Sequence, residues 1–216
     1  MINVLLNYYN FDGDWAYERL QPYVKGHVLI VPLAYREHDI YDEQTWQSVY
    51  GVGGTKYDNI MRPFARFGID NADIDWLDYY DSKDKLAQIA SADVLFFTGG
   101  MPEKAIARLA ELNLTDAVKH FDGVVMGASA GAMLQLSRYH VTPDEDYDSY
   151  GLWNGLGLMH GFDLEVHFLA TELQRQCTAR AARELGVPIY QMWHEGGLIV
   201  CDGKVTPMGS VCVVKP

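Results

Sequence analysis

Short apolar runs alternate with amphipathic stretches along the first 130 residues, and this alternation restricts the fold more than any other feature. Strand-helix alternation requires right-handed crossovers, and therefore a mostly parallel sheet with helices on both faces. We predict an α/β fold, a three-layer sandwich with a mostly parallel central sheet. The predicted buried strands are 4–6, 28–31, 74–77, 94–97 and 124–126, and the predicted helices between them are 15–23, 57–67, 83–90 and 103–110.

The pattern changes after residue 137. An acidic loop (141–150) and a glycine-rich stretch (151–161) precede one predicted helix (172–185) and short strands at 189–192, 198–201 and 211–214. Asp202-Gly203 predicts a hairpin turn between the last two strands, because Asp-Gly tolerates the positive φ that such a turn needs. No repeat or linker interrupts the chain, so we expect one domain over residues 1–216.

Composition excludes several classes of function. The formal net charge of -12 disfavours binding to nucleic acid or to anionic lipid, since both would repel this chain. The three cysteines lack metal-ligand spacing, and no apolar stretch approaches the ~20 residues of a membrane span. We therefore expect a cytoplasmic protein with no cofactor, no metal, and neither a nucleic-acid nor a membrane partner. The sequence makes no prediction of oligomeric state.

The sequence Gly127-Ala128-Ser129-Ala130-Gly131 matches the G-x-S-x-G pattern of a nucleophile elbow. A predicted strand leads into it and a helix-like run leads out, which is the strand-turn-helix context that lifts a serine hydroxyl clear of a sheet edge. All flanking residues are Gly or Ala, as a sharp turn requires. The alternative is a tight turn in which Ser129 only caps the following helix.

A nucleophilic serine also needs an oxyanion hole and a base. The Ala130 amide is the first after the nucleophile, and the glycine turn after residue 98 supplies Gly100 as a second donor, with Gly99 beside it as a substrate contact. His167 lies in an alternating stretch (162–168) that suggests the end of a strand, beside the sheet edge where a base is expected. It is the candidate base among seven histidines, although a single histidine is more often structural.

These residues together resemble peptidase E and its cyanophycinase relatives, peptidase family S51. The resemblance depends on the glycine turn at 97–100, the elbow at 127–132, and Gly155-Leu156-Gly157-Leu158 with Val166-His167-Phe168 downstream. It implies a glutamine amidotransferase-like fold in which serine replaces the usual elbow cysteine. It also implies His167 as general base, oriented by either Glu195 or Asp144; we favour Glu195, because the loop around Asp144 has the composition of a solvated surface.

The resemblance implies a serine-type peptidase that cleaves small peptides, with Asp-X dipeptides as one substrate class. Arg175 and Arg180 are the candidate partners for a substrate carboxylate, since arginine binds carboxylates with two hydrogen bonds. The alternative is that both arginines lie along an exposed helix face. Two other functions stay open: an amidase or esterase acting on another acyl compound, and a non-catalytic binding protein with this fold. The last alternative predicts that Ser129 and His167 lie farther apart than one hydrogen bond or one water bridge can span.

Overall fold

The computed structural model describes residues 1–216, and its centre is a run of five parallel strands. Their order across the sheet is β3-β2-β4-β5-β1, and all five correspond to strands predicted from the apolar runs. The strands are β1 (Ile2–Leu6), β2 (Val28–Val31), β3 (Ile74–Trp76), β4 (Val94–Phe97) and β5 (Val124–Ala128).

Five further strands follow in the second half of the chain. Two of them form a separate antiparallel hairpin, β6 (Arg138–Val141) and β7 (Gly151–Asn154). The other three extend the main sheet to eight strands: β8 (Asp163–Glu165), β9 (Ile189–Cys201) and β10 (Lys204–Val214). β9 pairs antiparallel with both β1 and β10, while β8 runs parallel to β9.

The prediction of three short strands at the end of the chain was wrong in extent. β9 and β10 run almost without interruption on either side of the turn at Asp202-Gly203, where both residues have positive φ as predicted. Residues 193–195 of β9 are partly or fully exposed, so their composition suggested a loop. This segment lies at an irregularity in the pairing of β9 with β10, between the paired residues Met192 and Gly196. The Asn7 and Asn10 side chains donate hydrogen bonds to two carbonyls of the segment, so its backbone is partly satisfied without strand pairing.

Helices cover both faces of the sheet and produce the predicted three layers. Alternate residues of β4 show the division: Val94 and Phe96 pack on one face, and Leu95 and Phe97 on the other. The helices on the first face are α1 (Tyr17–Leu20), α2 (Glu43–Tyr50) and α3 (Tyr57–Ala65); on the second they are α4 (Lys85–Ser91), α5 (Pro102–Glu111) and α6 (Thr115–Lys119).

Two of these helices, α2 and α6, were not predicted. The start of α2 carries a local signal, a capping box in which the Asp42 side chain accepts from the Thr45 amide while the Thr45 side chain accepts from the Asp42 amide. The remaining helices are the short α7 (Ala130–Met133) and α8 (Glu172–Leu185). Gly186 ends α8 in the left-handed conformation. None of the helices combines the length and the hydrophobicity that crossing a membrane requires.

The carboxyl ends of three central strands meet at one edge of the sheet. Leu6 of β1 is in register with Ala128 of β5, and Phe97 of β4 is in register with Gly127. Residues that follow these strands are therefore close together, although they are far apart in sequence. In open α/β sheets, binding sites form at this edge.

Candidate active site

Ser129 lies at the sharp turn between β5 and α7, as the elbow pattern predicts. Its backbone has φ 53° and ψ -116°, a conformation that costs free energy for a residue with a side chain. The Ser129 side chain makes no capping hydrogen bond to α7, so the helix-cap alternative is not supported. The turn requires its glycines: a Cβ on Gly131 would collide with the Phe97 carbonyl, and one on Gly127 with the Gly131 carbonyl.

The predicted base lies within hydrogen-bonding distance of the predicted nucleophile. His167 Nε2 is 2.8 Å from Ser129 Oγ. Burial lowers the pKa of the His167 imidazole below its ordinary value of 6.5, and the negative charge of Asp144 raises it in part. A neutral imidazole at neutral pH can accept the serine proton at Nε2 if its own proton is on Nδ1.

The backbone of His167 is held on both sides by side chains that were not predicted from the sequence. Asn7 Oδ1 accepts a hydrogen bond from His167 N at 2.7 Å, and Gln174 Nε2 donates to His167 O at 2.9 Å. The Asn7 amide group also donates to Met192 O at 3.1 Å and to Trp193 O at 2.7 Å. These contacts stabilise the positive φ of 53° at His167.

Asn7 could have been found from one signal, since it is the first polar residue after a buried apolar run. That position predicts the carboxyl end of a strand, where functional residues collect. Gln174 has no comparable signal, because it resembles any other polar residue of an amphipathic helix.

Two free amides lie beside Ser129 at the predicted oxyanion hole. Ala130 is the first residue of α7, so its N–H has no acceptor within the helix, and the Gly100 N–H donates to no backbone carbonyl either. Gly100 has φ 136°, and a Cβ there would collide with the Ala34 carbonyl, so only glycine fits.

Gly99 differs from its neighbour, because its amide already has an acceptor. The Gly99 N–H donates to the Tyr9 hydroxyl oxygen at 2.5 Å. Burial raises the pKa of Tyr9 to about 12, so this hydroxyl keeps its proton at neutral pH. A Cβ built on Gly99 would lie 3.4 Å from the Ser129 Cβ, so this residue limits the space beside the nucleophile rather than offering a free donor.

Neither predicted carboxylate reaches the imidazole. His167 Nδ1 is buried and has no hydrogen-bond partner in the protein. Glu195, which the sequence favoured, is an exposed residue of β9 and does not line the cavity that contains Ser129. Asp144 does line that cavity, but its Oδ1 accepts from the Asp146 and Tyr147 amides within its own loop.

The predicted substrate-binding arginines lie elsewhere. Arg175 and Arg180 are exposed on α8, and neither lines the cavity. Arg180 Nε bonds to Glu184 Oε1 at 2.8 Å, and its guanidinium lies 4.1 Å from the centre of the Tyr150 ring. The structure therefore corrects this prediction in favour of the exposed-face alternative, since helical spacing directs these side chains away from the cavity.

The cavity at Ser129 has a volume of about 570 Å³, which is ample for a small peptide. Four carboxylates and no lysine or arginine line it; the carboxylates are Asp144, Glu145, Asp146 and Glu165. Asp146 forms an ion pair with Arg36, which lies on the far side of that carboxylate. No group of three or more His, Cys, Asp or Glu side chains has the arrangement of a metal site.

The strand order and the helices on both faces give this chain a three-layer α/β fold of the peptidase E-like kind. Two solved structures share that fold. A protein of Listeria monocytogenes EGD-e that is assigned as a peptidase E is 14% identical, with a TM-score of 0.67 over 97% of this chain and 98% of that one. A peptidase from an acI-B1 Actinobacterium is also 14% identical, with a TM-score of 0.60 over 100% of this chain and 87% of that one. No protein-family model and no curated protein sequence matches the chain.

Proposed function

We propose that this protein is a serine-type peptidase that hydrolyses small peptides through an acyl-enzyme. The observation that carries the proposal is the 2.8 Å contact between Ser129 Oγ and His167 Nε2 at a strained elbow. Strain at a residue that caps nothing is typical of a functional site. The two solved structures with this fold are named as peptidases, which also supports a hydrolase function.

The proposed reaction assigns each step to a residue at the elbow. His167 Nε2 accepts the Ser129 proton as Oγ attacks the peptide carbonyl carbon, and the Gly100 and Ala130 amides donate to the oxyanion that forms. The imidazolium then protonates the leaving amine, which departs and leaves an ester on Ser129. Water, deprotonated by the same imidazole, hydrolyses this ester and restores the enzyme.

Asp144 is the better candidate for the acid that supports the imidazolium. Its carboxylate lines the same cavity, and its negative charge favours the protonated form of His167. A charge acts through space, so it stabilises the imidazolium of the transition state without a direct hydrogen bond. Glu195 offers no such support, because it is exposed on β9 and outside the cavity.

The charge of the cavity bears on the substrate. An Asp-X dipeptide would bring a side-chain carboxylate into a cavity lined by four carboxylates and by no arginine or lysine. Two of the four are paired with Arg36 and His140, whereas Asp144 and Glu145 have no ion-pair partner and repel that carboxylate. A free amino terminus or a basic side chain is attracted by the same lining. We expect Ala-Ala and Lys-Ala to be hydrolysed with higher kcat/KM than Asp-Ala. Faster cleavage of Asp-Ala would contradict this electrostatic argument and leave the peptidase proposal intact.

A fluorophosphonate probe tests the nucleophile directly. We expect wild-type protein to be labelled once, and the label to be lost in Ser129→Ala and His167→Ala. The matched control is Ser91→Ala, which removes an exposed serine at the end of α4 and should leave labelling unchanged. Wild-type protein that takes no label and cleaves no dipeptide would contradict the proposed function.

A further inference from the structure

A buried group of one histidine and two acids forms part of the wall of the cavity, which His140 and Glu165 line, and has no part in the reaction above. His140 Nδ1 is 2.6 Å from Asp163 Oδ2, and His140 Nε2 is 2.7 Å from Glu165 Oε2. The His140 and Asp163 side chains are fully buried, and that of Glu165 is 5% exposed. We call these three residues the His140 clamp.

The histidine of the clamp is an imidazolium. An ionised carboxylate only accepts hydrogen bonds, so a ring with an ionised carboxylate at each nitrogen carries a proton on both. Burial opposes the charge, but hydrogen bonds and charge from Asp163 and Glu165 outweigh it and raise the pKa of His140 to about 9. The other titratable groups nearby are Tyr150, with its ring centre 6.2 Å away, and Cys177 of α8, which faces Thr142 and Glu165.

The clamp joins two strands that belong to different sheets. His140 is in β6, which pairs with β7, whereas Asp163 and Glu165 are in β8, which pairs with β9. Two further hydrogen bonds cross the same gap, from His140 N to Asp163 Oδ2 at 3.1 Å and from Thr142 Oγ1 to Glu165 Oε2 at 2.8 Å. Every contact of this network that crosses the gap ends on a carboxylate of β8.

Both strands lead directly into the candidate active site. β6 continues into the loop that carries Asp144, and His167 is the second residue after Glu165. A shift of about 1 Å between reacting groups can cost ~10²-fold in rate. A buried link at this point can therefore control how well the imidazole meets the serine.

We propose that the His140 clamp is a positioning device, which fixes β6 against β8 and thereby holds His167 and Asp144 in place at Ser129. This proposal rests on the proposed function. It assigns no chemical step to His140, Asp163 or Glu165, which act only through the residues that follow them.

The test compares two substitutions at one position. Glu165→Ala breaks the clamp at its end nearest His167, whereas Glu165→Gln keeps an oxygen that accepts from His140 Nε2. For Glu165→Ala we expect kcat and the rate of fluorophosphonate labelling to fall by ~10²-fold, while KM changes no more than in Glu165→Gln, which removes the same charge from the lining of the cavity. Glu165→Gln should restore both to within about threefold of wild type, because the hydrogen bond is retained.

Asn3→Ala is the matched control for lost stability. Asn3 is a buried polar residue whose amide bonds to Gln135 Oε1 at 3.0 Å, and it has no contact with His167. If Glu165→Ala does not fold, Thr142→Val tests the proposal instead. This variant deletes a single hydrogen bond to Glu165 and should slow labelling by about threefold, whereas a wild-type labelling rate would contradict the proposal.

Nuclear magnetic resonance provides a readout that needs no reaction. A loosened His167 is less buried, so its pKa should rise towards 6.5 in Glu165→Ala and stay unchanged in Asn3→Ala. The positioning proposal would be overturned if Glu165→Ala folds and keeps both the wild-type labelling rate and the wild-type His167 pKa. It would also be overturned if the only effect of Glu165→Ala were a rise in KM. Wild-type protein without label counts against the proposed function, and the His167 pKa then still tests the clamp.

Discussion

Replacing Asn7 by alanine should separate the positioning of His167 from the stability of the fold. The Asn7 side chain makes three hydrogen bonds, one from the His167 amide and two to the Met192 and Trp193 carbonyls. At a net ~1 kcal/mol each, their loss lowers the free energy of unfolding by about 3 kcal/mol, or the Tm by roughly 6–12 °C. His167 then loses the acceptor that holds its strained backbone, and we expect kcat to fall by ~10²-fold.

The assay pairs dipeptide hydrolysis with thermal unfolding, and Asn3→Ala again supplies the control. Asn3 lies in β1, four residues before Asn7, and is also buried, but its side chain bonds only to other side chains, Gln135 Oε1 and the Met1 sulfur. Its replacement should cost ~1 kcal/mol and leave kcat near the wild-type value. If folded Asn7→Ala keeps kcat within about twofold of Asn3→Ala, the positioning argument is refuted.

Three further predictions follow from the same structure. Because burial lowers the His167 pKa, kcat/KM should persist below pH 6.5 and fall only as the pH drops through the pKa of His167 in the folded protein. The negative charge of Asp144 raises that pKa, so Asp144→Asn should move the fall in kcat/KM to lower pH. A pH profile of Asp144→Asn that matches the wild type would count against a role for Asp144. Gly131→Ala places a Cβ against the Phe97 carbonyl, so unfolding measurements should show a loss of ~1–3 kcal/mol or more, and a wild-type Tm would contradict the elbow geometry. The His140 pKa is raised from 6.5 to about 9, so the contribution of its protonated form to stability is complete below pH 6.5 and is lost as the pH rises through about 9. Urea unfolding at a series of pH values should show this decline in the wild type and not in His140→Gln.

Sequence reasoning succeeded where the signal is local. The strands of the parallel sheet were found because five short apolar runs must be buried, and the elbow was found because a sharp turn tolerates only small residues. Ser129 and its glycine neighbours lie within five positions of one another, so one turn of the backbone decides their geometry. The pairing of Ser129 with His167, 38 residues away, came from a strand pattern supported by a family resemblance.

The residues around this pair could not be found in that way. Glu195 looked suitable because of the glycine that follows it, but it lies in an exposed, irregular segment of β9 outside the cavity. Arg175 and Arg180 looked suitable because of their charge, but the rotation of α8 directs them to the surface. In each case the residue type suited the predicted role, but the side chain lies outside the cavity.

The sequence by itself determined the parallel α/β sheet, the bent backbone at Ser129 and the identity of a candidate base. Only the tertiary structure decided which side chains surround that base, because their contacts join distant parts of the chain: Asn7 is 160 residues from His167, and His140 is 25 residues from Glu165. Local sequence limits φ and ψ, and therefore turns and strands. Contacts across the molecule depend on how strands pair and helices rotate, which is settled only when the whole core packs.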